Sequence, residues 1–278
     1  MSACDDRTDV RRERAAGISL LRRAGAGVLP TIVFLHGIGS EASSWTPLLG
    51  ALDPEFDALA WDAPGYRDSD PLETVSPTAH DYGLALAAML DQLDLRRIIL
   101  VGHSLGSLFA GCFAAKYPDR VAALALLSPA LGYGAPAGRP LPPNLQARID
   151  DLERLGPSAF AARNAPRLVF SPDDEPDLVA RIEASMAAVR PRGYAQAVRA
   201  LGAGDLLEVA PAIAAPTLVV VGAQDTTTPP QNARRLYEAL AHPAPFRLVP
   251  NVGHALPQQA PRETVRLLAS FLRTSAHV

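Results

Sequence analysis

Residues 97–101 (RIILV) form a short run of mostly branched apolar side chains, which leads without a break into Gly102-His103-Ser104-Leu105-Gly106. Such a run suits a strand buried on both faces of a parallel sheet. Residues 105–117 then read as a helix rich in small side chains and ended by Pro118. A serine between two glycines at this junction requires a sharp turn. The turn holds Ser104 in a strained backbone conformation that costs about 1–3 kcal/mol. Gly102 and Gly106 remove side chains that would collide where strand and helix approach. The hydroxyl is lifted off the carboxyl end of the sheet, at the positive end of the helix. The Leu105 N–H points to where an oxyanion would form. The simpler alternative is a serine that only caps its helix, and the rest of the chain decides between the two.

The same strand-then-helix grammar repeats along the sequence. Residues 18–23 read as a short first strand. Further strands are predicted at 31–35 (TIVFL), 56–61, 121–127, 216–221 (PTLVVV) and 246–249. Helices are predicted at 45–52, 77–93, 230–240 and 261–272. This alternation predicts an α/β fold, a mostly parallel sheet with helices on both faces. From 131 to 204 strand signals give way to Pro, Arg and short helical stretches. That segment is too long for a plain crossover and is read as an inserted helical cap. The expected organisation is a polar arm at 1–16, a core at 17–130 and 205–278, and the cap at 131–204.

A nucleophilic serine needs a base within hydrogen-bond reach and a group that holds the base. His254 follows the last predicted strand and precedes the closing helix, at the sheet edge where Ser104 emerges. His242, in a Pro-rich turn, and His277, near the end of the chain, read as surface residues. Asp225 lies just past the strand PTLVVV, where a carboxylate would fix the His254 tautomer. After residues 121–127 the chain carries Ser128-Pro129-Ala130 and no acid, and Asp205 and Glu208 precede their strand. A second oxyanion donor is expected from the loop after TIVFL, at the Ile38 N–H, with Gly37 and Gly39 letting the backbone fold toward the site. His36 and His103 read as structural.

Composition excludes several alternatives. The 278 residues carry a formal net charge of −3, with 48% hydrophobic and 20% charged residues. No strong field draws the chain to nucleic acid or to an anionic membrane. No run of eighteen apolar residues is present. Residues 1–16 mix both charge signs and lack the apolar core of a signal peptide. The two cysteines, Cys4 and Cys112, suggest no disulfide framework. The expectation is a cytoplasmic protein acting on a small molecule, with a homodimer left open.

Together FLHGIG, Trp45, WDAPGYRDSD, GHSLG, VGAQD and NVGH resemble the alpha/beta-hydrolase superfamily. More narrowly they resemble its esterase, enol-lactonase and meta-cleavage-product hydrolase branch. The resemblance covers residues 30–130 and 210–272. It implies an eight-stranded sheet, a cap over the site, a Ser-His-Asp triad of Ser104, His254 and Asp225, an oxyanion hole from Ile38 and Leu105, and no cofactor or metal. Two departures stand out. Arg67 replaces the second glycine of the branch's D-x-P-G-x-G-x-S pattern, either as a cation near the site mouth or as a different turn. Ala255 follows His254 where carbon–carbon hydrolases of this group usually carry Trp. The expected activity is hydrolysis of a small ester or lactone. Carbon–carbon cleavage and a receptor-like member with little turnover are the alternatives.

Overall fold

The computed structural model of the chain describes residues 10–27 and 29–274. Eight strands form one sheet: β1 Val10–Ala15, β2 Ile18–Arg23, β3 Ile32–Leu35, β4 Ala58–Trp61, β5 Ile98–His103, β6 Val121–Leu127, β7 Thr217–Gly222 and β8 Arg247–Val249. Their spatial order is β1-β2-β4-β3-β5-β6-β7-β8. β1 and β2 run antiparallel to their neighbours, and every pairing from β4 to β8 is parallel.

The central strands are apolar at consecutive positions because both faces are covered. Val33, Leu35, Leu100, Leu124 and Val219 belong to one core cluster, and Ile32, Phe34, Val101, Ala125 and Leu218 to the other. Onto the first face pack α2 (Ala79–Gln92), α3 (Leu105–Lys116) and α8 (Pro230–Ala239), through side chains such as Leu86, Phe109 and Leu236. Onto the second pack α1 (Thr46–Ala51) and α10 (Pro261–Thr274), through Leu48, Leu49, Leu268 and Phe271. α2 starts on a capping box, in which the Thr78 and Asp81 side chains serve each other's orphan amides.

Between β6 and β7 the chain runs through α4 (Pro143–Asn164), α5 (Pro176–Ala187), α6 (Pro191–Ala203) and the single turn α7 (Leu206–Val209). Gln196 on α6 donates to the carbonyls of Leu72 at 2.7 Å and Thr74 at 2.6 Å, fastening these helices to the loop that follows β4.

One expectation is corrected. The polar arm read over 1–16 is a strand from Val10 onward, and residues 1–9 lie outside the described residues. The segment VRRERA has no apolar alternation to announce it. It pairs in register with β2 at the sheet edge, and its Arg12 Nη1 donates to the buried Asp62 Oδ2 at 2.5 Å. No helix among the described residues is long and apolar enough to cross a membrane.

Candidate active site

Ligands of open parallel sheets bind outside the carboxyl ends of the strands. Four loops meet there. Ser104 follows β5, the segment 36–41 follows β3, Asp225 follows β7, and His254 follows β8 and precedes the short helix α9 (Leu256–Gln259).

Ser104 stands at φ 53° and ψ −117°. A non-glycine residue holds such a conformation only where its surroundings over-determine it. Here three backbone hydrogen bonds do so: its N–H donates to Leu127 O at 2.9 Å, and its carbonyl accepts from Ser107 N at 2.9 Å and Ala130 N at 3.1 Å. A Cβ on Gly106 would lie 2.1 Å from the carbonyl oxygen of Leu35, so only glycine allows α3 to start this close to β3. Leu105 opens α3, and its N–H has no partner within the helix.

Asp225 and His254 are both buried and meet directly: Nδ1–H of His254 donates to Asp225 Oδ2 at 2.9 Å. This fixes the imidazole tautomer and leaves Nε2 as the basic nitrogen. The other carboxylate oxygen, Oδ1, accepts the N–H groups of Thr227 and Thr228, each at 2.9 Å. Burial pushes the Asp225 carboxyl up, but the hydrogen bond and charge of His254 and the Thr228 amide outweigh it, and the group lies below its ordinary value. The Thr228 hydroxyl touches three groups at once: Asp225 Oδ2 at 2.9 Å, Ser128 O at 2.9 Å and His254 Nδ1 at 3.1 Å.

The loop after β3 is pressed against the serine. A Cβ on Gly37 would fall 3.0 Å from the Cβ of Ser104 and 3.2 Å from Nδ1 of His103. His36 shapes this loop. Its Nε2 accepts the Ala63 N–H at 3.0 Å, so Nδ1 carries the proton and donates to Gly37 O at 2.8 Å. Burial holds this imidazole below its ordinary value. His103 is equally buried, and its Nε2–H donates to the backbone carbonyl of His254 at 2.8 Å. Burial first, then the neighbouring His254, lowers its pKa to about 3.

Ser104, Leu105, Ile38 and His254 all line one cavity of about 850 Å³, whose far walls come from the helices between β6 and β7. This lies in the size range of small-molecule sites. A small adjoining pocket of about 30 Å³, lined by Ser104, His254, Ser40 and Gln258, is large enough for one water.

Residues 30–260 match the model of a family described as alpha/beta hydrolase fold. The chain belongs to that family. This alpha/beta hydrolase is 26% identical to 3-oxoadipate enol-lactonase 2 of Acinetobacter baylyi, over 77% of this chain and 78% of that protein. It is also 26% identical to a 2-hydroxy-6-oxononadienedioate/2-hydroxy-6-oxononatrienedioate hydrolase of Cupriavidus pinatubonensis, over 89% of this chain and 88% of that protein. Among solved structures, a thermophilic esterase from Thermogutta terrifontis superposes with a TM-score of 0.83 at 25% identity, covering 96% of this chain and 100% of that one.

In the hydrolase, Arg67 is not a wall of the cavity. Its Nε pairs with the Oε2 of buried Glu41 at 2.8 Å, and its φ of 45° marks the different turn. Asp205 caps α7 through the Leu207 and Glu208 amides, on the cavity wall but away from His254 Nδ1. Cys112 is a half-buried thiol pushed up to about 12 by burial. Cys4 and His277 lie outside the described residues. Among the described residues, no group of three or more His, Cys, Asp or Glu side chains is placed to hold a metal. Thr228 is the residue sequence reasoning missed. In TTTPP nothing sets it apart, and only its place just past Asp225, whose Oδ1 accepts the Thr227 and Thr228 amides, carries a signal.

Proposed function

We propose that this hydrolase cleaves a small carboxylic ester or lactone through an acyl-enzyme on Ser104. The buried His254–Asp225 hydrogen bond, opening on the same cavity as the strained Ser104, carries the reading. His254 Nε2 takes the Ser104 proton as Oγ bonds to the substrate carbonyl carbon. The Ile38 and Leu105 amides hold the oxyanion. The bond to the leaving alkoxide breaks, and His254 gives that oxygen its proton. Water then adds to the acyl carbon, again losing a proton to His254. That proton returns to Ser104 as the carboxylic acid departs. Asp225 stays ionised and stabilises the imidazolium.

The named activities of the enol-lactonase and esterase relatives support this reading. So does Ala255, which stands where carbon–carbon hydrolases of the branch usually carry Trp. The segment 131–204 serves as a cap that selects the substrate. Steady-state hydrolysis of short aryl esters is the test. Ser104→Ala abolishes turnover and keeps the native unfolding transition; a variant with near-native turnover refutes the reading. A burst of one equivalent without further turnover would instead identify a receptor-like protein.

A further inference from the structure

We infer that Gln259 is a positioning residue for His254: its side chain ties the loop of the base to residues 168–170, so that the base is in place only while that stretch is seated. This deepens the reading of His254 as the base and rests on it. Gln259 ends the single turn α9, where its backbone N–H donates to Ala255 O at 2.8 Å. Its side-chain Oε1 accepts two amides, Gly253 N–H at 2.9 Å and Phe170 N–H at 3.2 Å. Its Nε2 donates to Phe170 O at 2.8 Å. Only one orientation of the amide serves two donors and one acceptor, so its oxygen and nitrogen are fixed by the network. One side chain thus pairs with Phe170 as a neighbouring strand would, and grips the residue before His254 as well. The residue after His254 closes the link from the other side: Ala255 N–H donates to Leu168 O at 2.8 Å.

The packing has the same arrangement. A Cβ on Gly253 would lie 2.7 Å from Phe170 N and 2.8 Å from Leu168 O, so the two backbones touch and only glycine fits between them. Ala255 belongs to neither sheet-face core. It packs with Ala165, Val169, Leu178 and Ile182 in a small apolar cluster of its own, the last two supplied by α5. The carbonyl of His254 is held by His103. The main chain on either side of the base is therefore fixed by 168–170, and the base's own carbonyl by the residue before the nucleophile. The same stretch reaches the substrate space, because Leu168 lines the cavity over Ser104. Reacting groups tolerate little displacement: a shift of about 1 Å can cost roughly a hundredfold in rate.

The test is the rate at which an aryl fluorophosphonate labels Ser104. Gln259→Met keeps the side-chain length and removes the three hydrogen bonds. Labelling is expected to slow about 10–100-fold in this variant, with the native near-ultraviolet circular dichroism retained. In the His254→Ala background the same substitution should change the rate by less than about twofold, because Gln259 acts through the base. Gln259→Glu keeps both acceptor contacts and should recover most of the rate. Unchanged labelling in Gln259→Met, equal slowing with and without His254, or equal damage by Met and Glu overturns the inference. A second measurement needs no variant. In the parent the amides of Gly253, Ala255 and Phe170 should exchange hydrogen with one common protection and one urea dependence, as a single opening unit. An Ala255 amide that opens independently of Phe170 contradicts the tie. Turnover is read apart: a parent that takes the label but hydrolyses no aryl ester refutes the ester reading and leaves the labelling rates to decide this one.

Discussion

The imidazole of His103 donates its Nε2–H to the backbone carbonyl of His254 at 2.8 Å, with the two rings 5.0 Å apart. The residue before the proposed nucleophile thus holds the main chain of the proposed base. His103 must stay uncharged beside its neighbour, and burial ensures this by lowering its pKa to about 3.

Stability follows from this shift. Unfolding exposes the imidazole, which then titrates near its ordinary value of 6.5. Between that value and about 3 the unfolded chain binds a proton that the folded chain does not. Stability is therefore complete above the unfolded value and is lost as pH falls, by up to about 1.4 kcal/mol per pH unit from this residue. His36, also lowered by burial, acts in the same direction. Urea unfolding between pH 7 and pH 5 is the measurement. His103→Gln, which keeps a donor but does not titrate, should show a shallower loss; an unchanged slope would contradict the assignment.

Asp225 is the second target. Asparagine in its place can donate its amide to Nδ1 and so favours the tautomer that blocks Nε2 as a base. In Asp225→Asn, kcat for an aryl ester is expected to fall about 10³–10⁴-fold, with KM little changed. A drop of less than tenfold would show that Asp225 does not orient the base. Acid should also weaken the fold through this carboxyl. Its contribution is complete above the ordinary carboxyl value of 3.8 and is lost as pH falls through the lower folded value.

Thr228 makes a finer prediction. Its hydroxyl bridges Asp225 and Ser128 and touches Nδ1 of His254. Thr228→Val keeps the shape and removes these contacts, and kcat should fall about tenfold, the equivalent of one ordinary hydrogen bond. Thr228→Ser should restore most of the loss. Equal damage by both variants would mean that packing, and not the hydroxyl, matters.

At Arg67 two small effects oppose each other. Arginine at φ 45° is strained by about 1–2 kcal/mol, which glycine would relieve. Against this, the ion pair is exposed only on its arginine side (42%, against 10% for the Glu41 side chain), so its loss leaves a buried carboxylate oxygen without a partner, at about 1–3 kcal/mol. Arg67→Gly should therefore leave the thermal midpoint unchanged or slightly lowered. A destabilisation above about 2 kcal/mol would show that the pair anchors the loop far more strongly than a surface ion pair does.

Much of this molecule is legible in its sequence because buried parallel strands are uniformly apolar. The strand at Val121–Leu127 has the predicted bounds, and RIILV announces β5. The alternation of elements gives the fold class, and motif order places Ser104, Asp225 and His254. β1 is not legible: VRRERA is an edge strand held by its ladder and by the Arg12–Asp62 pair, contacts that leave no apolar period. Phe56 and Asp57, read as the start of the strand at 56–61, fall outside β4, because the Phe56 N–H closes the preceding turn on Asp53 O. Thr228 and the His103 bond are invisible for another reason. Each joins residues distant in the chain, and neither residue type is unusual where it stands.

Labelling tests the central claim most directly. An aryl fluorophosphonate phosphonylates a serine only where a base and an oxyanion hole activate it. Intact mass and peptide mapping should find one adduct, on Ser104, formed quickly in the parent enzyme and lost in His254→Ala. An adduct on another serine, or the same labelling rate without His254, would contradict the account.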